Sequence, residues 1–284
     1  MNVLLEPLNF EFMRNAMIMG IFLGILCAVV GSYMIVQQMS MMADMIAHSV
    51  MAGLPLAVFL KLPLSVGALV AGVLSAVVLS GIESQSRLKL DAVMALIFSL
   101  FLATGTTLVT VLPGADRIDV IHILFGNILG VNQSDLKLTF GITLIIVLGV
   151  WLFYKELLFY TFDPIGSQAS GMRVRWYYLG IVTAISLTVV ASLQTVGVLL
   201  LMGMLVAPGM TAYMLVKELH HMMILGSCLG AFASIAGMYL SYYLDIPSGS
   251  AIVLVAFGLF LLAFLFSPSH GILTKSGFVK DIKQ

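Results

Sequence analysis

The sequence predicts an all-α membrane protein, a polytopic bundle of eight or nine transmembrane helices. The 284 residues are 61% hydrophobic and only 9% charged, with a mean hydropathy of +1.13, whereas soluble domains carry roughly 25% charged residues. Apolar runs with few or no charges also recur along the whole chain. Most of these runs reach the ~20 residues that a helix needs to cross a bilayer.

The candidate spans follow one another with short connections. They lie at 15–37, 44–60, 63–82, 92–112, 138–154, 176–195, 197–216, 222–243 and 249–267. The second run decides between eight and nine spans: it is short and contains Asp44, His48 and Pro55, which favours a helix that begins inside the membrane. Pro208 predicts a kink or an end in the seventh run. Since no connection is long enough for a soluble domain, we expect residues 1–284 to form one membrane domain.

The basic residues indicate which loops are cytoplasmic. If the segment 155–175 lies inside and the spans alternate, most of the thirteen Lys and Arg residues fall inside, as the positive-inside rule requires. They are Arg87, Lys89, Lys155, Arg173, Arg175, Lys217, Lys275, Lys280 and Lys283. A chain of nine spans then starts outside and ends inside. The region before the first span lacks the pattern of a removable signal peptide.

The composition excludes several classes of function. The formal net charge is zero, which gives no reason to expect nucleic acid as a partner. Cys27 and Cys228 both lie in apolar runs, so we interpret them as small core residues rather than a disulfide or a thiolate metal site. The sequence contains no G-x-x-x-x-G-K-[ST] phosphate loop. If transport is driven by ATP, another subunit must therefore hydrolyse it.

Asp44 is the one formally charged residue between Asn15 and Leu60, and His48 follows one helical turn later. Residues four apart share a helix face, so the carboxylate and the imidazole face the same way. An ionisable residue inside a membrane is costly, needs a partner and marks a candidate functional site. Carboxylate oxygen and imidazole nitrogen together suit Mn²⁺, Fe²⁺ or Zn²⁺. The pair is a candidate metal site; the alternative is a structural ion pair that fixes helix packing.

Two further groups of residues are candidates for metal contacts. Asp116, Asp119 and His122 lie in the outer loop, whose apolar middle predicts a short helix at about 119–131 against the mouth of the bundle. They form either an outer gate that attracts cations or a helix cap with solvated charges. His220 and His221, on the inner side, either receive exiting metal or belong to a solvated turn between helices.

The inner loop contains a pattern typical of a short capped helix at about 163–171. Asp163 suits the cap, Pro164 the first helical position and Gly171 the exit. This helix is the internal candidate for contact with an ATPase, and the alternative is an ordinary capped loop. Its residues are Asp163, Pro164, Ile165, Gly166, Ser167, Gln168, Ala169, Ser170 and Gly171.

Four segments carry a resemblance to a known family. They are Met39-Ser-Met-Met-Ala-Asp-Met-Ile-Ala-His-Ser-Val-Met-Ala-Gly-Leu-Pro55, Ile121-His-Ile-Leu-Phe-Gly-Asn-Ile-Leu129, Phe162-Asp-Pro164 and Val196-Gly-Val-Leu-Leu-Leu-Met-Gly-Met-Leu-Val-Ala-Pro208. Together they resemble the permeases of manganese, zinc and iron ABC importers, over almost the whole chain. The chain departs from the family pattern at Ala43 and Ala52, where glycine and proline are usual.

The resemblance implies a type II ABC-importer-like permease in a bacterial cytoplasmic membrane. It implies four kinds of partner: the lipid bilayer, a second copy of the chain, two cytoplasmic ATPases that bind ATP, and an extracytoplasmic metal-binding lipoprotein or periplasmic protein. Residues 163–171 would then be the coupling helix, and the outer segment 119–131 would belong to the external gate. Asp44 and His48 would hold the transported ion at the midplane.

We therefore expect a non-enzymatic permease with no resident cofactor that carries manganese, with zinc second and iron third. Two rivals remain at this point. A proton-driven secondary metal carrier would use Asp44 and need no ATPase, and a cobalamin or siderophore permease would need no small site of hard ligands.

Overall fold

The computed structural model describes residues 6–85, 88–113 and 126–267. Over these ranges the backbone forms ten α-helices and two 3-10 turns, Pro7–Asn9 and Ile128–Gly130, which confirms the all-α prediction. The helices are α1 Glu11–Val36, α2 Met41–Phe59, α3 Leu64–Gln85, α4 Leu90–Val111, α5 Gln133–Leu152, α6 Tyr154–Phe162, α7 Pro164–Ala169, α8 Val174–Leu215, α9 Leu219–Leu244 and α10 Ser248–Phe266.

Nine segments of the described chain are long and apolar enough to cross a membrane. Helix α2 is one of them, since it begins at Met41 and reaches 19 residues. Helix α8 supplies two, Val174–Leu193 and Thr195–Leu215. Its 42 residues would extend about 63 Å as one straight helix, twice the ~30 Å of the hydrocarbon core.

The interruption of α8 lies at Gly197, where φ is 77° and ψ is 170°. Glycine has no Cβ and adopts this positive φ without steric cost. Of the two outcomes predicted for Pro208, a helix end was wrong, because Pro208 lies inside the helix, which continues to Leu215. Its carbonyl oxygen lies near Gly226 of α9, one of the small residues that allow close approach.

The described helices group into two compact units. The first comprises residues 6–35, 127–149 and 199–267. Its centre is α1, whose apolar stretch is 72% buried, compared with 22% for α10. Glycines bring the α1 and α9 backbones into contact: a Cβ on Gly24 would lie 2.6 Å from the carbonyl carbon of Gly230. One turn earlier, Ser234 Oγ donates a hydrogen bond to the Gly20 carbonyl at 3.0 Å.

The second unit comprises residues 36–85, 88–113, 126 and 150–198. Its centre is α2, which packs against α3 and α4 and is 67% buried over its apolar stretch, against 22% for α4. Gly53 and Gly67 let α2 and α3 approach closely, and Gly105 of α4 packs on the Met51 backbone. Such contacts between small residues give transmembrane helices their packing energy. The helix that carries Asp44 is thus the most enclosed element of this unit.

The two cysteines lie in different surroundings. Cys27 is buried, as predicted, but Cys228 is exposed on α9, so its assignment to the core was wrong. The hydrophobicity of the surrounding sequence cannot show whether a cysteine faces the protein interior or the lipid, because lipid is as apolar as a protein interior.

The contact between α1 and α9 can be tested with Gly24→Ala. The added methyl group would overlap the Gly230 backbone, and backbone yields less readily than a side chain. We expect Gly24→Ala to destabilise the protein by about 1–3 kcal/mol. Thermal unfolding of the purified protein in detergent measures this change. Gly149→Ala is the matched control, since nothing lies within 4 Å of its added Cβ. Equal melting temperatures for both variants would contradict the packing described here.

Candidate functional site

The structure brings Asp44 and His48 together as the sequence predicted. His48 Nδ1 lies 3.3 Å from Asp44 Oδ1 and 3.0 Å from the Asp44 backbone carbonyl oxygen. Both partners are acceptors, so they favour the tautomer in which Nδ1 carries the proton and donates. Nε2 then keeps its lone pair.

In that arrangement Asp44 orients the ring of His48, and His48 presents Nε2. The sequence did not predict this division of roles. A metal-binding histidine commonly donates its second ring N–H to a carboxylate or carbonyl oxygen, which fixes its tautomer and orientation. Phe98 of α4 also holds the His48 ring, with the ring centroids 4.5 Å apart. In this chain alone 41% of the Asp44 side chain and 18% of the His48 side chain are exposed. His48 Nε2, on the ring edge that faces away from Asp44, and the second carboxylate oxygen of Asp44 take no part in this contact.

The pair lies close to one end of its helix. Asp44 is in the first turn of α2, and His48 follows in the next turn. A carboxylate in a first turn is stabilised by the free N–H groups and the positive end of the helix dipole. The position thus lowers the cost of keeping a charge in an apolar helix.

Glu218, His220 and His221 form a second group of possible metal ligands, at the start of α9. His220 Nε2 lies 3.2 Å and His221 Nδ1 3.3 Å from the same oxygen, Oε2 of Glu218. One ligand atom from each residue lies within 4.8 Å of the others, and all three residues are exposed. Sequence reasoning considered the two histidines and missed Glu218. The spacing Glu-x-His-His at a helix start is the sequence signal that could have identified Glu218.

The inner loop contains the predicted capped helix. Asp163 Oδ1 accepts a hydrogen bond from the Gly166 N–H at 2.8 Å, with Pro164 at the start of α7. Gly171, after the helix, has a φ of 84°. On α7 Ser167 is buried, whereas Ile165 is 82% exposed. A capped helix thus presents an exposed apolar side chain, Ile165, close to the exposed Phe162.

A cavity of about 970 Å³ lies in the second unit beside α7. Its walls come from the turn between α1 and α2, the end of α3, the end of α6 with α7, and the start of α8. Alternation of the spans assigns all these segments to the same side of the membrane. Tyr160 contributes to the wall; its burial and the charge of Glu83 raise the pKa of the phenol to about 12. The phenol therefore stays protonated and neutral at physiological pH.

The predicted outer gate is described only at its end. Asp116, Asp119 and His122 lie outside the described residues, as does 119–125 of the predicted helix; Ile128–Gly130 forms a 3-10 turn. Gly126 has a φ of 61°, and its α-carbon packs directly on the backbone of Val196 and Gly197. No Cβ fits between these backbones, so the end of the outer segment is fixed against the interruption of α8.

Comparison with known proteins agrees with this architecture. The model of the ABC 3 transport family matches residues 9–267. The manganese transport system membrane protein MntC of Halalkalibacterium halodurans is 40% identical over 270 residues, which cover 95% of this chain and 92% of the relative. A probable iron transport system membrane protein of Haemophilus influenzae is 40% identical over 279 residues, which cover 97% of each chain.

A solved structure is also similar. It is PsaBC from Streptococcus pneumoniae in complex with Fab, with a TM-score of 0.84 and 36% identity over 98% of each chain. The chain therefore belongs to the ABC 3 transport family and is the multi-pass, non-enzymatic permease subunit of an ABC transporter whose ATPase is a separate protein.

Proposed function

We propose that this chain is the membrane-spanning subunit of an ATP-driven importer of a divalent transition metal, and that manganese is its substrate. The observation that carries the proposal is the Asp44–His48 pair, which leaves His48 Nε2 and an Asp44 oxygen available to a cation. The manganese permeases among the relatives support the choice of metal. The location that fits this function is a bacterial cytoplasmic membrane.

Other metals fit the same ligands. Iron(II) is the second candidate, because a relative 40% identical is named for iron transport. Zinc remains a chemical alternative, since an imidazole nitrogen and a carboxylate oxygen also suit it. Membership of an ABC transporter family argues against the alternative hypothesis of a proton-driven secondary carrier. A permease for cobalamin or siderophores would leave Asp44 and His48 without a role in binding.

The pair supplies too few ligands for a complete coordination shell. One histidine nitrogen and one carboxylate oxygen from each of two copies would give four ligands around a two-fold axis, and water would complete six. The 41% exposure of Asp44 in the single chain leaves room for such an approach. The assembly that fits comprises two permease copies, two ATPases and an extracytoplasmic metal-binding protein.

We assign the other ligand groups to the two ends of the route. Asp116, Asp119 and His122 would form an acidic outer gate, because carboxylates at an entrance attract cations. Glu218, His220 and His221 would receive the ion on the inner side. Two imidazoles and one carboxylate are a ligand set that holds first-row divalent metals while leaving open positions.

Helix α7, with the flanking residues of 163–171, is the proposed coupling helix. Its exposed Ile165 is the kind of apolar side chain that anchors a protein interface. The Asp163 cap holds the first turn in place, so the isoleucine is presented by a rigid element. ATP-driven closure of the ATPase pair would then displace α7.

Asp44→Asn tests the metal site directly. The amide keeps the shape of the side chain but loses the charge that binds the cation and orients His48. We expect uptake of ⁵⁴Mn at limiting metal to fall by about 10- to 100-fold, while the complex still assembles and hydrolyses ATP. Asp91→Asn, in the first turn of the neighbouring helix α4, is the matched control and keeps normal uptake. Full accumulation by Asp44→Asn would refute the assignment.

Glu218→Gln tests the inner ligand group. Removal of the shared carboxylate charge leaves two histidines without their common partner. The purified complex, with Asp44 substituted by Asn so that the first site does not contribute, is titrated with Mn²⁺ and followed by electron paramagnetic resonance. We expect the remaining affinity to fall by about tenfold or more. Glu156→Gln in α6 serves as the control. Unchanged binding after Glu218→Gln would exclude the inner group as a metal site.

Ile165→Ser tests the coupling helix. The substitution removes the exposed apolar contact without altering the Asp163 cap, so the permease keeps its own stability. We expect less ATPase to co-purify with the permease and transport to fall in proportion. Val111→Ser is the control. It removes an aliphatic side chain that is 70% exposed at the last residue of α4, the end of that span expected on the outer side, and this variant should retain the ATPase. Normal co-purification with Ile165→Ser would place the ATPase contact elsewhere.

A further inference from the structure

One hydrogen bond joins the end of α6 to the turn that precedes α2. Gln37 Nε2 donates to Thr161 Oγ1 at 3.1 Å, in a half-buried position and across 124 residues of sequence. Gln37 is the first residue after α1, and Thr161 is the next-to-last residue of α6. The bond therefore links the turn after α1 to the end of α6, which are far apart in the sequence.

Each partner is close to an element with a proposed role. On one side, Thr161 is two residues from Asp163, whose side chain caps α7. On the other side, Gln37 precedes a tight turn in which Gln38 has a φ of 59° and the Met42 N–H bonds the Met39 carbonyl at 2.9 Å. Asp44 follows in the first turn of α2. Gln37 is thus connected to Asp44 through a short turn and the first turn of α2.

The surroundings of this bond are open. The cavity of about 970 Å³ is lined by Gln38 and Met39 on the α2 side, and by Tyr160, Pro164 and Gln168 on the α6–α7 side. Where two elements face each other across a cavity, close packing does not transmit a movement between them. The hydrogen bond between Gln37 and Thr161 is a direct connection between the two elements at this place.

We propose that the Gln37–Thr161 hydrogen bond couples movement of α7 to the helix that carries Asp44 and His48. Gln37 and Thr161 are positioning residues: they touch neither metal nor ATP, and they act through α2 and α7. The inference rests on the proposed function, because it assumes that α7 receives the ATPase movement and that α2 carries the metal site.

The first experiment measures metal transported per ATP hydrolysed. The full complex is placed in vesicles with its ATPase and binding protein, and Mn²⁺ uptake and phosphate release are followed together. Thr161→Val keeps the shape of the side chain and removes the acceptor oxygen. We expect the ratio to fall about fivefold, the change that the loss of one ordinary hydrogen bond produces in a two-state population.

Conservative and remote variants separate coupling from a loss of structure. Thr161→Ser keeps the hydroxyl and should restore the ratio. Thr104→Val removes a hydroxyl that bonds the carbonyl of Leu100 within its own helix and should leave the ratio unchanged. Gln37→Leu should reproduce Thr161→Val, and the double variant should be no worse than either single variant. A normal ratio in Thr161→Val, failure of Thr161→Ser, or additive losses would overturn the proposal.

A second measurement does not depend on the metal. Spin labels are attached at Met41→Cys, at the exposed start of α2, and at Ser170→Cys, directly after α7, with Cys228 replaced by serine. We expect the distance between the labels to stay constant between ATP-free and ATP-trapped complexes, and to change between them in Thr161→Val. A change in the unsubstituted pair, or none in Thr161→Val, contradicts the coupling. Absence of metal uptake with this distance pattern intact would instead contradict the proposed function.

Discussion

The central constraint on this molecule is the presence of a carboxylate in a helix that is otherwise apolar. The cost of Asp44 is reduced in two ways that the structure makes visible. Its place in the first turn of α2 puts the carboxylate near the positive end of the helix dipole. The nearby imidazole of His48 adds a polar partner. Neither contribution covers the carboxylate fully, and the remaining exposure is what a ligand site requires.

The packing around α2 follows from the same constraint. A site that holds an ion needs fixed positions for its ligands, and in a membrane the main source of rigidity is close contact between backbones. In the second unit this contact is provided by Gly53 with Gly67 and by Gly105 against Met51. The ring of Phe98 then fixes the imidazole from the neighbouring helix. The contacts of Gly53 and Gly105, together with the ring of Phe98, thus help to fix the position of His48.

Much of this architecture could be predicted from the sequence because its signals are local. Apolar runs predicted the spans, i to i+4 spacing predicted the Asp44–His48 pair, and cap chemistry predicted α7. The features that escaped prediction depend on contacts between distant segments or on backbone angles. The choice of Nε2 over Nδ1 needs the actual distances, and the bond from Gln37 to Thr161 spans 124 residues. At α8, the helix end that Pro208 suggested does not occur, and the non-helical backbone angles lie at Gly197, which no local signal in the sequence indicated.

In the proposed function, the positions of the candidate ligand groups also bear on how the ion would be released. Glu218, His220 and His221 lie at the start of α9, where the helix dipole is positive and opposes a bound cation. Their exposure lets water compete for the metal. Both effects would weaken binding relative to a buried site with the same ligands, and a weak site would suit the proposed exit step because the ion must leave it. Asp44 lies at a helix start as well, and its carboxylate is likewise stabilised without the metal. The proposed route, made from such sites, would favour passage of the ion over its retention.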